Sequence, residues 1–319
     1  MPSLASHALP PGYVLRHPEA CEEPAIQSVL DAAETADTGE PRRHENDVAT
    51  EWMSEECHPA DDWWVAVTAE GTVVGVGWVW PQTAGEVTAD HYVHPDHRGL
   101  GLGEVLLDVI EARAAELPAT TADGGVRHLV VWCEETDAAR LASLSRRGFS
   151  RERSYYEMSI GLDATGEAPA WPPGVEPRSF RAGLDEHALY EADLEAFAEH
   201  HLFEPRSFEE WRLFHVDAPR QDGALWRLAW DGDDLAGFII ASADDLGGSV
   251  DALAVRKPWR GRGLGRALLL SAFDAFRVRG HGVARLFVDA QNVTNALDVY
   301  EAAGMRVSRR FAVMRRALG

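Results

Sequence analysis

Two short stretches of the chain place glycines at alternate positions behind an arginine. They are Arg98, Gly99, Gly101 and Gly103 in the first half, and Arg260, Gly261, Gly263 and Gly265 in the second. Each follows an apolar, strand-like run and opens a helical pattern. Glycine lets the backbone come close to a ligand, and the first turn of a helix leaves N–H groups unpaired at the positive end of its dipole. Such a loop suits a phosphate. It is not a Walker A loop, because no Gly-Lys-Ser/Thr follows, and the antiparallel character of the preceding strands makes it a poor dinucleotide fingerprint. Around the second loop Arg256, Lys257, Arg260, Arg262 and Arg266 gather the positive charge that an anionic ligand needs.

Asp251 lies two residues before Leu253 on the strand leading into that loop, so alternation puts both side chains on one face. A carboxylate on a half-buried strand can accept a proton from an ammonium group, or it can serve turn chemistry after the preceding Gly-Gly-Ser. Glu199, His200 and His201 form a polar cluster near a helix end, and His215 follows Trp211 by one helical turn; any of them could line a pocket, and each also reads as a surface or packing residue. Phe197, Phe203, Phe208, Trp211 and Phe214 fit a helical core stripe. Cys21, Cys57 and Cys133 are widely spaced, with no Cys-x-x-Cys and no His-paired spacing, so they read as reduced thiols rather than a metal site or a disulfide framework.

The elements that must position these residues occur twice. The segment from Trp64 is echoed 162 residues later by the segment from Trp226, and the same offset links Gly75 to Gly237 and one glycine loop to the other. Each copy reads as helices, a strand meander, the loop-opened helix, a strand, a helix and a final strand. An extra loop in the first copy shortens the later offset to 156, which relates Gly148 to Gly304. The boundaries predicted are 1–163 for the first domain, a linker rich in Pro, Gly and small residues over 164–174, and 175–319 for the second. The fold class expected is α/β (α+β), with a mixed, mostly antiparallel sheet flanked by helices in each copy.

The Arg-x-x-Gly-x-Gly spacing, followed in the second copy by NVTNALDVYEAAGM, resembles the GNAT superfamily of acyl-CoA-dependent N-acyltransferases, twice over and across nearly the whole chain. The resemblance implies that the backbone of Arg260, Gly261, Arg262, Gly263, Leu264, Gly265 and Arg266 holds the pyrophosphate of acetyl-CoA. It implies further that Leu253, Ala254 and Val255 pair with the pantetheine amides, that Asn292 bonds the pantetheine arm, and that Tyr300 stands beside the sulfur. There a phenol can protonate the thiolate that leaves when an amine attacks the thioester. In the first copy Tyr92, Val93, Arg98, Gly99, Gly101 and Gly103 would hold a second acetyl-CoA, or that copy is an empty domain kept for packing. Leu144 stands there where the second copy has Tyr300, so the first domain is expected to be catalytically degenerate. Tyr155 or Tyr156 could replace that phenol, although Tyr155 also matches Phe311 as a core position.

Charge narrows the partners. The 319 residues carry 30 Lys+Arg against 52 Asp+Glu, a net charge of -22, which argues against nucleic acid and against anionic membranes. The first 163 residues hold 11 basic and 29 acidic residues and the remainder 19 and 23, so the acidity is concentrated in the first copy. Neither a secretory leader nor a membrane span is visible, and the expectation is a cytoplasmic monomer or homodimer. Two functional classes follow: an acetyltransferase acting on a small-molecule amine by direct transfer without a metal, and a non-catalytic acetyl-CoA-binding regulator.

Overall fold

A computed structural model describes residues 8–39, 47–53, 57–81, 85–118, 124–162, 166–198, 205–218, 221–291 and 296–318. In chain order the first copy forms β1 (Tyr13–Arg16), α1 (Glu23–Thr38), α2 (Asp47–Trp52), α3 (Pro59–Asp62), β2 (Trp63–Thr68), β3 (Val73–Pro81), β4 (Glu86–Val93), α4 (Leu102–Glu116), β5 (His128–Glu134), α5 (Ala138–Arg146) and β6 (Ser150–Gly161). The second forms β7 (Val175–Ser179), α6 (Glu186–Phe197), α7 (Phe208–His215), β8 (Arg227–Asp231), β9 (Asp234–Asp244), β10 (Gly247–Val255), α8 (Leu264–Val278), β11 (Val283–Asp289), α9 (Ala296–Ala302) and β12 (Arg306–Ala317). The expected meander, loop-opened helix, strand, helix and strand are present in both copies.

By contact the chain divides into two compact units. One comprises Met1–Cys133, Asp137–Glu152 and Val313–Gly319; the other comprises Glu134–Thr136 and Arg153–Ala312. This differs from a boundary at residue 163, because most of β6 joins the second unit and the end of β12 joins the first. The register of β6 on β11, from Gly161 against Val283 to Tyr155 against Asp289, accounts for the first exchange. The alternating pattern of a strand states which face is buried, but not which neighbour it pairs with.

Within the first unit β1, β2, β3 and β4 pair antiparallel, and β4 pairs parallel with β5 over Glu86–Ala89. Its core contains Trp63, buried and stacked on Trp78 at 5.0 Å between ring centroids. Within the second unit β7, β8, β9 and β10 pair antiparallel, and β10 pairs parallel with β11 over Gly248–Val250. Phe238 on β9 and Leu268, Phe273 and Phe276 on α8 are fully buried in that core. In both units the parallel pairing stops partway along, and the strands part beyond it. Among the described residues no helix is long and apolar enough to cross a membrane, and Cys21, Cys57 and Cys133 are free thiols.

Candidate active site

The second unit builds its site from a close helix-to-sheet contact. A Cβ at Gly237 would lie 2.8 Å from the Ala254 carbonyl oxygen and 3.2 Å from Leu268, so the bare position lets α8 pack tightly on β9 and β10. That contact brings the first turn of α8 to the end of β10, where the chain must turn sharply. Gly261 and Gly263 make the turn at φ 73° and 82°, and the space before both is open. Arg260 ties the loop to the strand, its Nε donating to the Val255 carbonyl at 2.9 Å. Arg260 and Arg262 are exposed and have no carboxylate partner among the described residues, whereas Arg256 pairs with Glu195 at 2.6 Å and Arg266 with Glu167 at 2.6 Å.

From this loop a cavity of about 670 Å³ runs along Leu253, Ala254 and Val255 to Tyr300 on α9 and on to Asp251. The sequence-predicted residues Gly261, Gly263, Leu264, Gly265, Arg260 and Arg266 line it as well. Arg262 stands exposed between the two turning glycines. The volume suits an extended ligand with a phosphate at one end. Asn292 lies outside the described residues.

Tyr300 is 8% exposed, and burial pushes its phenol up to about 12. The hydroxyl therefore stays protonated, and remains a donor, across any ordinary working pH. Asp251 is the extra residue of a β-bulge: Val250 pairs with Ala241 and Ala252 with Ile240, leaving Asp251 without a register partner on β9. The bulge interrupts the alternation that would place Asp251 and Leu253 on one face, yet both line the cavity. The Asp251 carboxylate accepts from the Ser249 hydroxyl at 2.8 Å and the Gln221 amide at 3.3 Å.

Three further cavity residues escaped the sequence reading in this role. Arg153 and Tyr155, on β6, line the cavity beside Asp289 of β11, and Arg153 forms an ion pair with Asp289. Tyr155 is thus a half-buried wall residue of the second unit's cavity rather than a fully buried core position. No local signal marks Arg153 and Tyr155, because they belong to the first copy by sequence and reach this site only through the pairing of β6 with β11, which sets them beside Asp289.

On the helical side Phe197 lines the cavity, while Phe208, Trp211 and Phe214 are engaged elsewhere. Trp211 is buried, donates its indole N–H to Asp193 at 3.1 Å, and packs beside His215 at 5.3 Å between centroids. Burial pushes the Asp193 carboxyl up to about 6 against the opposing effect of that hydrogen bond. Phe208 stacks on His187 and Phe214 lies beneath the Arg206 guanidinium. Glu199, His200, His201 and Phe203 lie outside the described residues.

The first unit repeats the loop. Gly99 and Gly101 adopt φ 76° and 92°, Gly103 sits in the first turn of α4, and Arg98 Nε donates to the Val93 carbonyl at 3.2 Å. Here, however, Arg98 is also held by Asp37, at 2.5 and 2.9 Å. Tyr92 stacks on Trp78, and Leu144, at the position equivalent to Tyr300, is fully buried in apolar packing. Among the described residues no group of His, Cys, Asp or Glu is placed to hold a metal ion.

Comparison with known proteins gives consistent matches. The model of the acetyltransferase (GNAT) family matches residues 26–149 and again 186–305. A mycothiol acetyltransferase of Saccharopolyspora erythraea is 32% identical over 69% of this chain and 73% of its own, and one of Catenulispora acidiphila is 29% identical over 91% and 94%. Among solved structures, a GCN5-related N-acetyltransferase from Sphaerobacter thermophilus superposes with a TM-score of 0.79 at 30% identity, covering 98% of this chain and 97% of the other. A tandem GNAT protein from the clavulanic acid biosynthesis pathway shares the fold at a TM-score of 0.70 and 19% identity, covering 96% and 99%.

Proposed function

The chain belongs to the acetyltransferase (GNAT) family, as two GNAT domains in tandem, and from that premise we propose that its second unit moves an acetyl group from acetyl-CoA to a primary amine of a small molecule. The observation that carries this reading is the single cavity joining the Gly261–Gly263 cradle to Tyr300 and Asp251. The loop N–H groups and the exposed Arg260 and Arg262 would receive the pyrophosphate, and the edge of β10 beyond its pairing with β11, at Leu253, Ala254 and Val255, would pair with the pantetheine amides. Asn292 is assigned to the pantetheine arm on its position in the family pattern alone.

The acceptor amine arrives as an ammonium ion and must lose a proton before it can attack the thioester carbon. Asp251, on its bulge and without a cationic partner in the contacts that hold it, would take that proton. The C–N bond then forms, the C–S bond breaks, and negative charge develops on sulfur. Tyr300 would donate a hydrogen bond to it. With the phenol near 12 and a thiol ordinarily near ~8.5, complete transfer of the phenolic proton is unfavourable. The second proton lost by the nitrogen therefore ends on sulfur, and the phenol lowers the barrier by stabilising the charge in passage.

The acceptor that mycothiol acetyltransferases use is the first to test, because relatives of that name match along nearly the full length of the chain. The test is an assay of acetyl transfer to a panel of small primary amines that includes that acceptor. Acetylation of at least one amine is expected, with Tyr300→Phe lowering kcat by roughly 10²-fold and leaving the KM for acetyl-CoA within about threefold. A chain that binds acetyl-CoA, acetylates none of them and is indifferent to Tyr300→Phe would refute the proposal.

A further inference from the structure

The first unit keeps the glycine turns of the second but sets different side chains beside them. In the second unit small side chains, Ala252, Ala254 and Ala296, border the space where β10 and β11 part. The positions that the sequence repeat makes equivalent carry Asp90, Tyr92 and Arg140. These larger groups engage one another. Arg140, on α5, forms an ion pair with Asp90, on β4, and both side chains are largely buried, at 17% and 14% exposed. The Tyr92 hydroxyl donates to the second Asp90 oxygen at 3.3 Å, and the Arg140 guanidinium stands 5.8 Å from the Tyr92 ring centroid. The Asp90 carboxylate also accepts the His91 backbone N–H at 2.8 Å.

The neighbouring groups are engaged as well. His91, where the second unit has Leu253, packs against the first turn of α4, and its Nδ1 is buried without a partner among the described residues. Burial, then the guanidinium groups of Arg140 and Arg147, hold this imidazole well below its ordinary value, so it is neutral. Glu104 stands where the second unit has Arg266, accepting from the Ser143 hydroxyl at 2.6 Å and from Arg147 at 2.6 Å. A carboxylate in the first turn of α4 complements the helix dipole from within the protein and repels an incoming phosphate.

We infer that the Asp90–Arg140 pair is a built-in plug that closes the first unit to acyl-CoA, so that each chain takes one acyl-CoA, in the second unit. This rests on the reading that the second cavity is the acyl-CoA site. A pantetheine arm entering the first cleft would have to separate a buried ion pair, and its neutral amides could replace neither charge.

The test uses the full chain with CoA as the probe, combining calorimetric titration with amide hydrogen exchange. The wild-type protein is expected to bind one CoA, with protection confined to peptides covering 253–270. In Asp90→Ala/Arg140→Ala, which removes both charges together, the stoichiometry is expected to rise to two, with new protection over 93–107. Two sites in the wild type, protection of both loops in the wild type, or a folded double variant that still protects only the second loop would each overturn the plug. A variant that fails to fold leaves the wild-type stoichiometry and exchange pattern to decide. Should the wild type bind no CoA, the catalytic reading falls, while the double variant still decides the plug by gaining protection over 93–107 or failing to.

Discussion

The two units share a backbone device and differ in what stands beside it. Gly99 and Gly101 turn as Gly261 and Gly263 do, and an arginine Nε ties each loop to the strand before it. Beyond the loop the units diverge. The second has small side chains in its cleft, a phenol held at about 12 by burial and a bulged carboxylate; the first has an ion pair, a leucine and a strand whose register on β3 runs unbroken. Duplication preserved the part that depends on glycine conformation, which is costly to alter. The side chains that decide chemistry diverged without disturbing it.

The largest effect expected from breaking this symmetry is at the glycine loops. Gly263→Val forces a β-branched residue into the left-handed region and fills the cradle, so acetyl-CoA affinity should fall by about 10³-fold. Gly101→Val imposes the same strain on the first unit, and affinity measured by the same titration should stay within about twofold. An intermediate effect belongs to the bulge that only the second copy's register shows. Asp251→Asn should lower kcat/KM for the amine by roughly 10- to 100-fold, read by steady-state kinetics.

The smallest effect is on stability and belongs to the helices of the second unit. The Asp193 carboxyl, ordinarily at 3.8, is raised to about 6 by burial, so the folded state holds that proton more tightly than the unfolded chain. The stabilisation this provides is present below pH 3.8 and is lost as the pH rises through 6, up to about 3 kcal/mol in all. Asp193→Asn keeps an acceptor for the Trp211 N–H and removes that loss. Its unfolding midpoint should exceed the wild type's at pH 7.5, and the two should converge near pH 4, as followed by thermal denaturation.

Much of the second unit's site was legible in the sequence because the constraints on it are local. A helix opened by alternate glycines after a strand admits few uses, and Tyr300 sits at a fixed distance along the same chain. The bulge at Asp251 was not legible, since it is a register event between two strands and leaves no mark on either strand alone. Arg153 and Tyr155 were missed for a related reason: only the pairing of β6 with β11 brings residues of the first copy to the second unit's cavity, beside Asp289. Asp90 and Arg140 were read past because residues 50 apart share no period, and their bond exists only once α5 is laid on β4. The tandem fold itself was legible, because a repeat of register over glycines and core positions is a property of the chain and not of its partners.

The central claim is that acetyl transfer takes place in the second unit alone. Its most direct measurement is single-turnover transfer of a labelled acetyl group from acetyl-CoA to an accepted amine, comparing Gly101→Val with Gly263→Val in the full chain. The result expected is a wild-type rate for Gly101→Val and no detectable transfer for a folded Gly263→Val. Transfer that persists in Gly263→Val and is lost in Gly101→Val would contradict it.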